Sequence, residues 1–244
     1  MSQLKLPIAT FVNMLSVVIG SSIGLLMQTA LSDNLQQLLF QAIGLSTVLI
    51  AVKMMLRLPD GFLLAVVFSL ISGGIVGELL SLDVWLSGLS SDLAHILEVE
   101  EGSFSRGLIT AFLLFCVGSM TILGALEEGV ENKRELLFVK STMDGISSMA
   151  LASTFGIGVM FSIIPMLIFQ GSITIFSFKI KKWFDEKTID TISAVGGVLI
   201  FGIAVRLLDL GNINLENLLP SLFIVVAFSK ITQKVNKKAN ASER

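Results

Sequence analysis

The stretch KSTMDGISSMALASTFGIG, residues 140–158, places charged and hydroxyl side chains inside an apolar part of the chain. Lys140 and Asp144 are four residues apart, so on a helix they lie on one face and can form an ion pair. A carboxylate within an apolar segment normally faces the protein interior or a water-filled cavity, where it can bind a proton or a cation. Hydroxyl groups on the same helical face offer oxygen ligands; they belong to Ser141, Ser147 and Ser148.

This pattern predicts that Asp144 binds an ion, while Lys140 either tunes the carboxylate or attracts an anionic group of a substrate. The alternative interpretation is that the two side chains only pair across one helical turn and brace the bundle.

Three further polar side chains lie within apolar segments. Thr121 can hydrogen-bond an ion or a neighbouring helix. Asn13 and Gln170 carry amides, which are expensive to bury without a hydrogen-bond partner. All three are predicted as additional ligands, with structural hydrogen bonding as the alternative. Glu127 and Glu128 follow the Thr121 segment and are expected to be solvated.

Glycine residues occur in two patterns in these segments. One set follows Asp144 and could let the helix break, so that backbone carbonyls face an ion or a substrate: Gly145, Gly156 and Gly158. The other set forms G-x-x-x-G pairs, which let helices approach closely: Gly20 with Gly24, and Gly73 with Gly77.

The composition indicates an integral membrane protein, because 53% of the 244 residues are apolar and only 15% are charged. The mean hydropathy is +0.85. With one Cys and one His, the chain can form neither an internal disulfide nor a Cys/His metal cluster, and which metal it could bind, if any, is unknown. A net charge of −2 with scattered basic residues excludes a nucleic-acid partner. HExxH and P-loop motifs are absent from the sequence, so we expect neither enzymatic activity nor an organic cofactor.

Apolar runs of membrane-spanning length predict an all-α, polytopic membrane helix bundle of about eight transmembrane helices. The expected spans are 8–28, 35–56, 61–81, 105–126, 136–156, 159–178, 189–209 and 216–233. Residues 82–104 are predicted to form an amphipathic surface helix with an acidic loop, and 234–244 a basic tail. The whole chain, 1–244, is expected to be one integral membrane domain.

The distribution of basic residues predicts the orientation of this bundle. If both ends are cytoplasmic, every Lys and Arg except Arg106 and Arg206 falls on the inner side. This arrangement requires residues 136–156 to cross the membrane, because a segment that only dipped in and out would place the basic loop 179–187 and the basic C-terminus outside. The sequence does not distinguish a continuous helix from a broken or a re-entrant one. Asp144 then lies within the bilayer.

A weak internal repeat is also present. IAVKMM at 50–55 resembles IAVRLL at 203–208, and AVVFS at 65–69 resembles VVAFS at 225–229. Spans one to three (8–81) would then match spans six to eight (159–233), with 105–158 as two central helices. Because equivalent spans of the two copies are offset by five spans, an odd number, they would cross in opposite directions, as in the inverted repeats of secondary transporters. Chance similarity between apolar segments is the alternative.

Two segments, GSMTILGALEEG (118–129) and KSTMDGISSMALASTFGIGVMFSIIPMLIFQG (140–171), resemble a known family. It is the bacterial membrane-protein family called domain of unknown function 554, the YdfK- and YqgA-like proteins. The resemblance covers essentially the whole chain and implies a multi-pass protein of the bacterial cytoplasmic membrane, without implying a substrate. The matching motif positions are Asp144, Ser147, Ser148, Gly156, Gly158 and Gln170. The family motif has a proline where this chain has Ser119, so the resemblance does not predict a proline-driven helix break there.

Together these features predict a secondary transporter of a small solute or ion, coupled to H⁺ or Na⁺, with its site in the central helices. Because the chain is short for a carrier, we expect a homodimer in the lipid bilayer to supply the scaffold. A channel lined by the serine-rich face and a non-transporting membrane subunit are the alternative functions.

Overall fold

Every regular element of the computed structural model is helical over the residues that it describes, 6–28 and 33–242. The helices are α1 (Ile8–Gln28), α2 (Asp33–Met55), α3 (Leu63–Leu79), α4 (Leu82–Ile96), α5 (Glu101–Cys116), α6 (Ser119–Glu131), α7 (Glu135–Phe155), α8 (Gly158–Phe161), α9 (Ile163–Met166), α10 (Ser172–Ile180), α11 (Glu186–Leu207) and α12 (Ser221–Ser242). A π-helical turn at Leu167–Gly171 joins α9 to α10. The predicted all-α class is confirmed, and the end of the predicted basic tail, 243–244, lies outside the described residues.

Several of these helices are long and apolar enough to cross a membrane. Within the described ranges they are Ile8–Gln28, Gln37–Met55, Gly158–Trp183 and Glu186–Leu207. Two bent pairs qualify if each pair is one span: α3 with α4, bent by 61°, and α5 with α6, bent by 60°. These four to six segments support a membrane helix bundle. The count of eight spans stays a prediction.

Helices α1 and α7 pack together because small residues remove the side chains between them. A Cβ atom at Gly20 would lie 2.0 Å from the carbonyl oxygen of Gly145, and one at Gly24 would lie 2.2 Å from that of Met149. The opposite face of α1 exposes large apolar residues such as Leu15. The first G-x-x-x-G pair therefore lies in a helix contact within the chain.

Helix α5 and helix α6 meet at a break that the sequence did not predict, since 105–126 was expected to be one span. Gly118 adopts an extended backbone (φ −85°, ψ 149°) between them. The Thr121 hydroxyl donates a hydrogen bond to the carbonyl oxygen of Phe115 at 2.7 Å. This bond satisfies one of the carbonyls that the end of α5 leaves without a helical partner.

Helix α7 ends at Gly156, whose backbone angles, φ +71° and ψ −154°, are accessible essentially to glycine alone. The chain then turns into α8, where a Cβ atom at Gly158 would lie 2.1 Å from the carbonyl oxygen of Phe104 on α5. The glycine-rich end of the 140–158 stretch therefore ends α7 and lets α8 pack on α5.

The described residues form two compact units, one from Met1–Ser46 and Ser87–Lys181 and the other from Thr47–Leu86 and Lys182–Arg244. The first contains α1 and α5 to α10, and the second contains α3, α11 and α12. Each predicted repeat half, 8–81 and 159–233, is thus divided between the two units.

In the second unit, α3 packs against the segment that leads into α12. A Cβ atom at Gly73 would lie 2.6 Å from the backbone nitrogen of Ser221, and one at Gly77 would lie 1.9 Å from the carbonyl oxygen of Asn217. Nearby, both carboxylate oxygens of Glu216 accept hydrogen bonds from the Arg206 guanidinium, at 2.9 and 3.1 Å. The second G-x-x-x-G pair therefore also lies in a contact within the chain.

Asp185 caps the start of α11, and its ionisation makes the stability of the protein depend on pH. Partial burial raises the pKa of its carboxyl, but hydrogen bonds from Lys230, Thr188 and Gln233 outweigh this and lower the pKa from 3.8 to about 2. Because the folded-state pKa is depressed, the stabilisation is complete above about pH 4 and is lost as the pH falls towards 2. We therefore expect the difference in Tm between the wild type and Asp185→Asn to be constant near neutral pH and to shrink below about pH 4.

Thermal unfolding in detergent, followed by tryptophan fluorescence across a pH series, measures this difference. A gap in Tm that stays constant or widens on acidification would contradict the assignment of Asp185.

Candidate functional site

The centre of the candidate site is the buried ion pair of α7. The Lys140 Nζ atom lies 2.8 Å from each carboxylate oxygen of Asp144. Their side chains are only 8% and 7% exposed. Desolvating two charges costs several kcal/mol per ion, so the pair needs further hydrogen bonds to be stable in this position.

One such hydrogen bond comes from α1, where Asn13 is fully buried. Its Nδ2 atom donates to Asp144 Oδ2 at 2.9 Å and to Gln170 Oε1 at 3.3 Å. This amide orientation follows from the carboxylate, because the opposite one would set the amide oxygen against a negative charge. Residues far apart in sequence thus meet in one cluster, which we call the ion-pair cluster: Asn13, Lys140, Asp144 and Gln170.

The ion-pair cluster retains unused hydrogen-bonding capacity. Asn13 Oδ1 and Gln170 Nε2 are buried, and neither has a hydrogen-bond partner among the residues that the structure describes. A buried polar group left unsatisfied costs about 1–3 kcal/mol, so a partner for each atom would be favourable. One acceptor and one donor beside a carboxylate suit a hydrated cation or a small polar solute.

Gln170 owes its position to the π-helical turn at Leu167–Gly171. Such turns insert an extra residue into a helix, re-aim the side chains that follow and are frequent at functional sites. Sequence periodicity could not predict this turn, because its residues are apolar apart from Gln170 and Gly171.

Helix α5, which ends at Cys116, also packs against α7. Cys116 is fully buried, so the thiol lies in the interior of the protein.

Three of the four predicted hydroxyl ligands donate hydrogen bonds to backbone carbonyls. Ser141 Oγ donates to the Leu137 carbonyl at 2.7 Å, Ser148 Oγ to the Gly145 carbonyl at 2.8 Å, and Thr121 Oγ1 to the Phe115 carbonyl at 2.7 Å. These three groups can offer a ligand only their oxygen lone pairs. Ser147 is half-buried on α7.

A separate cavity of about 500 Å³ lies at the other end of α7. Its lining is formed by Leu25, Gln28, Val99, Glu100, Ser103, Phe104, Phe155, Gly156, Ile157 and Gly158. Phe155 is eleven residues beyond Asp144, or about 16 Å along the helix. Gly156 and Gly158 thus belong to this cavity and not to the surroundings of Asp144. Gly145 lies next to Asp144 in the sequence and packs against Ser16 of α1.

Glu128 is a functional candidate that sequence reasoning missed, since it was expected to be solvated. Its side chain is only 1% exposed, and Oε1 accepts hydrogen bonds from the Ala9 backbone N–H at 2.9 Å and from Arg134 Nε at 3.0 Å. The run EEGVENKR suggested a solvated loop because charges are dense there. In the sequence, only the small residue Gly129 could have indicated that a neighbouring helix covers Glu128. In the structure a Cβ atom at Gly129 would lie 2.2 Å from the Thr174 carbonyl oxygen, so α6 packs closely against α10.

Apolar helices that surround a buried ion pair identify the class of protein. It is an all-helical membrane protein with a charged cluster among its helices. The chain belongs to the family described as Protein of unknown function (DUF554), which matches residues 8–230. This confirms the resemblance that the two sequence motifs indicated.

Two relatives agree with this assignment. The Uncharacterized membrane protein YdfK of Bacillus subtilis (strain 168) is 32% identical over 217 residues, covering 88% of this chain and 92% of that protein. The Uncharacterized protein YqgA of Escherichia coli (strain K12) is 24% identical over 227 residues, covering 91% of this chain and 96% of that protein. No solved structure matches the chain.

Proposed function

We propose that the protein is a secondary transporter of a small solute or ion, coupled to H⁺ or Na⁺, in the bacterial cytoplasmic membrane with both ends cytoplasmic. The observation that carries this proposal is the ion-pair cluster. A Lys–Asp pair of low exposure lies there among buried amides that still have an unused donor and acceptor. Intramembrane ionisable residues commonly mark ion pathways, because their burial is too costly for an ordinary packing role.

The geometry suggests how such a site would couple two events. The Lys140 ammonium is a tethered cation that contacts both oxygens of Asp144 at 2.8 Å. A proton or a sodium ion on Asp144 would compete with Lys140 for the same oxygens. The paired state and the ion-bound state are then mutually exclusive, and differential binding of the ion shifts the population between them.

Two contacts support an inverted repeat. Asn13 and Gln170, which occupy comparable places in the two predicted halves, hydrogen-bond to each other at 3.3 Å. Phe68 and Phe228, equivalent positions of the AVVFS and VVAFS segments, stack with ring centroids 6.0 Å apart. Residues related by a two-fold axis contact their own equivalents when they lie near that axis.

The proposal retains a homodimer as the assembly, no enzymatic activity and no organic cofactor. A channel lined by the serine-rich face receives less support, because Ser141 and Ser148 donate their hydroxyl protons to backbone carbonyls of α7. A non-transporting membrane subunit is the function that would remain if the cluster binds no ligand.

Thermal unfolding of the purified protein with Na⁺, K⁺, a pH series and a panel of small metabolites, at constant ionic strength, tests the proposal. A ligand at a hundred times its Kd should stabilise the wild type by about 2.7 kcal/mol, and Asp144→Asn should remove most of this response. Asp92→Asn is the matched control, since Asp92 is exposed on α4 and its loss should leave the response intact. A wild type that responds to none of these conditions, or an Asp144→Asn protein that responds fully, would contradict the proposal.

A further inference from the structure

A second buried carboxylate, Glu128, has the same kind of environment as Asp144. Asp144 is held by the Lys140 ammonium and by an N–H donor from α1, the Asn13 amide. Glu128 is held by the Arg134 guanidinium and by an N–H donor from α1, the backbone of Ala9. In both cases a cation and α1 together hold a carboxylate away from solvent.

Glu128 still has capacity for a ligand. Its Oε2 atom is buried and has no hydrogen-bond partner within residues 6–28 and 33–242. A carboxylate that served only to cap α1 and to pair with Arg134 would be expected to satisfy both oxygens or to expose one to water. The partner Arg134 is 29% exposed, so this end of the first unit is in contact with solvent.

Helix α1 connects the two carboxylates over a short distance. Ala9 and Asn13 are four residues apart, or about 6 Å along the helix. Thr10 lies between them, and its hydroxyl is buried without a hydrogen-bond partner in the described part of the chain. A polar group therefore occurs at each step from one carboxylate to the other along α1.

A second line of polar side chains runs from the π-helical turn, which contacts α1, into α10, which packs against α6. Gln170, Thr174 and Ser177 recur at helical spacing on one face over about 10 Å, and all three are fully or almost fully buried. The Ser177 hydroxyl also lacks a partner among the residues described, and a Cβ atom at Gly129 would lie 2.2 Å from it. Ser177 is thus beside the residue that follows Glu128.

We propose that these side chains form an ion path from Asp144 to Glu128, and that Glu128 is a second binding site for the monovalent cation that Asp144 binds. The inner path, as we call it, consists of Asn13, Gln170, Thr10, Thr174, Ser177 and Glu128. This inference rests on the proposed function and deepens it. Arg134 holds Oε1 of Glu128 and leaves Oε2 for the cation, whereas Lys140 contacts both oxygens of Asp144.

The accessibility of the inner path to small cations can be measured without any transport assay. In a Cys116→Ala background, Thr10→Cys and Ser177→Cys should react with the cationic reagent methanethiosulfonate ethylammonium, detected by intact-protein mass spectrometry. The matched controls are Phe11→Cys, one residue after Thr10, and Phe176→Cys, one residue before Ser177. Both phenylalanine side chains are exposed on the outer faces of their helices. Thiols react as thiolates, which form in water and not in lipid, so the two path positions should react about ten-fold faster than their neighbours in a bilayer. Equal rates for all four cysteines, or unreactive path positions, would overturn the inference.

Ion exchange then tests the role of Glu128 itself. Glu128→Gln removes the charge but retains an oxygen that can accept from Ala9, and Glu127→Gln is the matched control with the same change one residue earlier. In proteoliposomes, exchange of radioactive Na⁺, or proton flux reported by a pH-sensitive dye, should slow about ten-fold in Glu128→Gln and stay near the wild-type rate in Glu127→Gln. The ligand-dependent shift in Tm should persist in Glu128→Gln because Asp144 is intact. If Glu128→Gln cannot be purified folded, Glu128→Asp, which keeps the charge but withdraws it from Ala9, replaces it with the same expected slowing.

The outcomes separate the two proposals. Wild-type protein that neither exchanges Na⁺ or H⁺ nor shifts in Tm with ligand would contradict the transporter function, and the cysteine reactivities would then decide alone whether the path exists. Wild-type exchange with an equally active Glu128→Gln protein would leave the function standing and overturn the role of Glu128.

Discussion

Replacing Lys140 alone with methionine is expected to destabilise the protein by about 3–5 kcal/mol, because it leaves the Asp144 charge buried without its partner. Replacing both residues, Lys140→Met with Asp144→Leu, should recover most of that loss, since apolar side chains of similar volume need no compensating charge. The low exposure of both side chains, 8% and 7%, makes this a buried pair and not a surface one. Unfolding in mixed micelles of increasing dodecyl sulfate content, followed by tryptophan fluorescence, measures the free energies of unfolding. The proteins to compare are the wild type, Lys140→Met, Asp144→Leu and the double variant.

Lys133→Met is the matched control for this cycle. Lys133 pairs with Glu131 at 2.8 Å, but the side chains are 66% and 42% exposed, so its removal should leave stability unchanged. If Lys140→Met were as stable as this control, the pair would not be buried as described. If the double variant were the least stable of the set, the two side chains would contribute through packing and not through their charges.

The second large effect is expected at Gly20. Gly20→Ala would place a Cβ atom 2.0 Å from the Gly145 carbonyl oxygen and 2.3 Å from Ser148 Oγ, so α1 and α7 must separate. Overpacking of this kind costs about 1–3 kcal/mol. Because Asn13 lies two turns away on the same face of α1, the separation should also weaken its hydrogen bond to Asp144. We therefore expect both a lower Tm and a smaller ligand-dependent shift.

Gly88→Ala, on α4, is expected to change stability in the opposite direction. Apart from the adjoining backbone of α4 itself, no atom of the described structure lies within 4 Å of a Cβ placed at Gly88, so alanine there should stabilise α4 by about 0.5–1 kcal/mol through backbone entropy. Tm values of the two alanine variants and the wild type, each with and without the stabilising ligand, test the contrast. A Gly20→Ala protein that behaves like Gly88→Ala would show that α1 and α7 do not touch at this point.

Local sequence patterns predicted the individual residues of the candidate site better than the contacts that bring these residues together. The four-residue spacing of Lys140 and Asp144 indicated a pair on one helical face, and the structure places their charged atoms 2.8 Å apart. The cost of burying an amide directed attention to Asn13 and Gln170. The contacts of Asn13 with both Asp144 and Gln170 could not be predicted, because contacts between residues more than a hundred positions apart depend on how the helices pack.

The remaining differences also have physical causes. The break between α5 and α6 was missed because the segment stays apolar across it and Ser119 stands where a proline would have signalled it. Thr121 was predicted as a ligand with structural hydrogen bonding as the alternative, and its hydroxyl donates a hydrogen bond to the carbonyl of Phe115 at that break. Its role as a ligand stays a prediction. Glu128 was misjudged because a dense run of charges indicates solvent exposure unless neighbouring helices cover it, and covering is a tertiary property.

The partnership of α1 with α7 has a consequence for biosynthesis. Asn13 and Asp144 are 131 residues apart in the chain. At a synthesis rate of about 5–20 residues per second, α1 is made roughly 7–26 s before its partner on α7. During that interval the Asn13 amide and the glycine face of α1 lack the groups that they contact in the finished protein. Docking of α1 onto α7 and onto the π-helical turn that holds Gln170, and not the insertion of α1 into the membrane, is therefore the step that completes the ion-pair cluster.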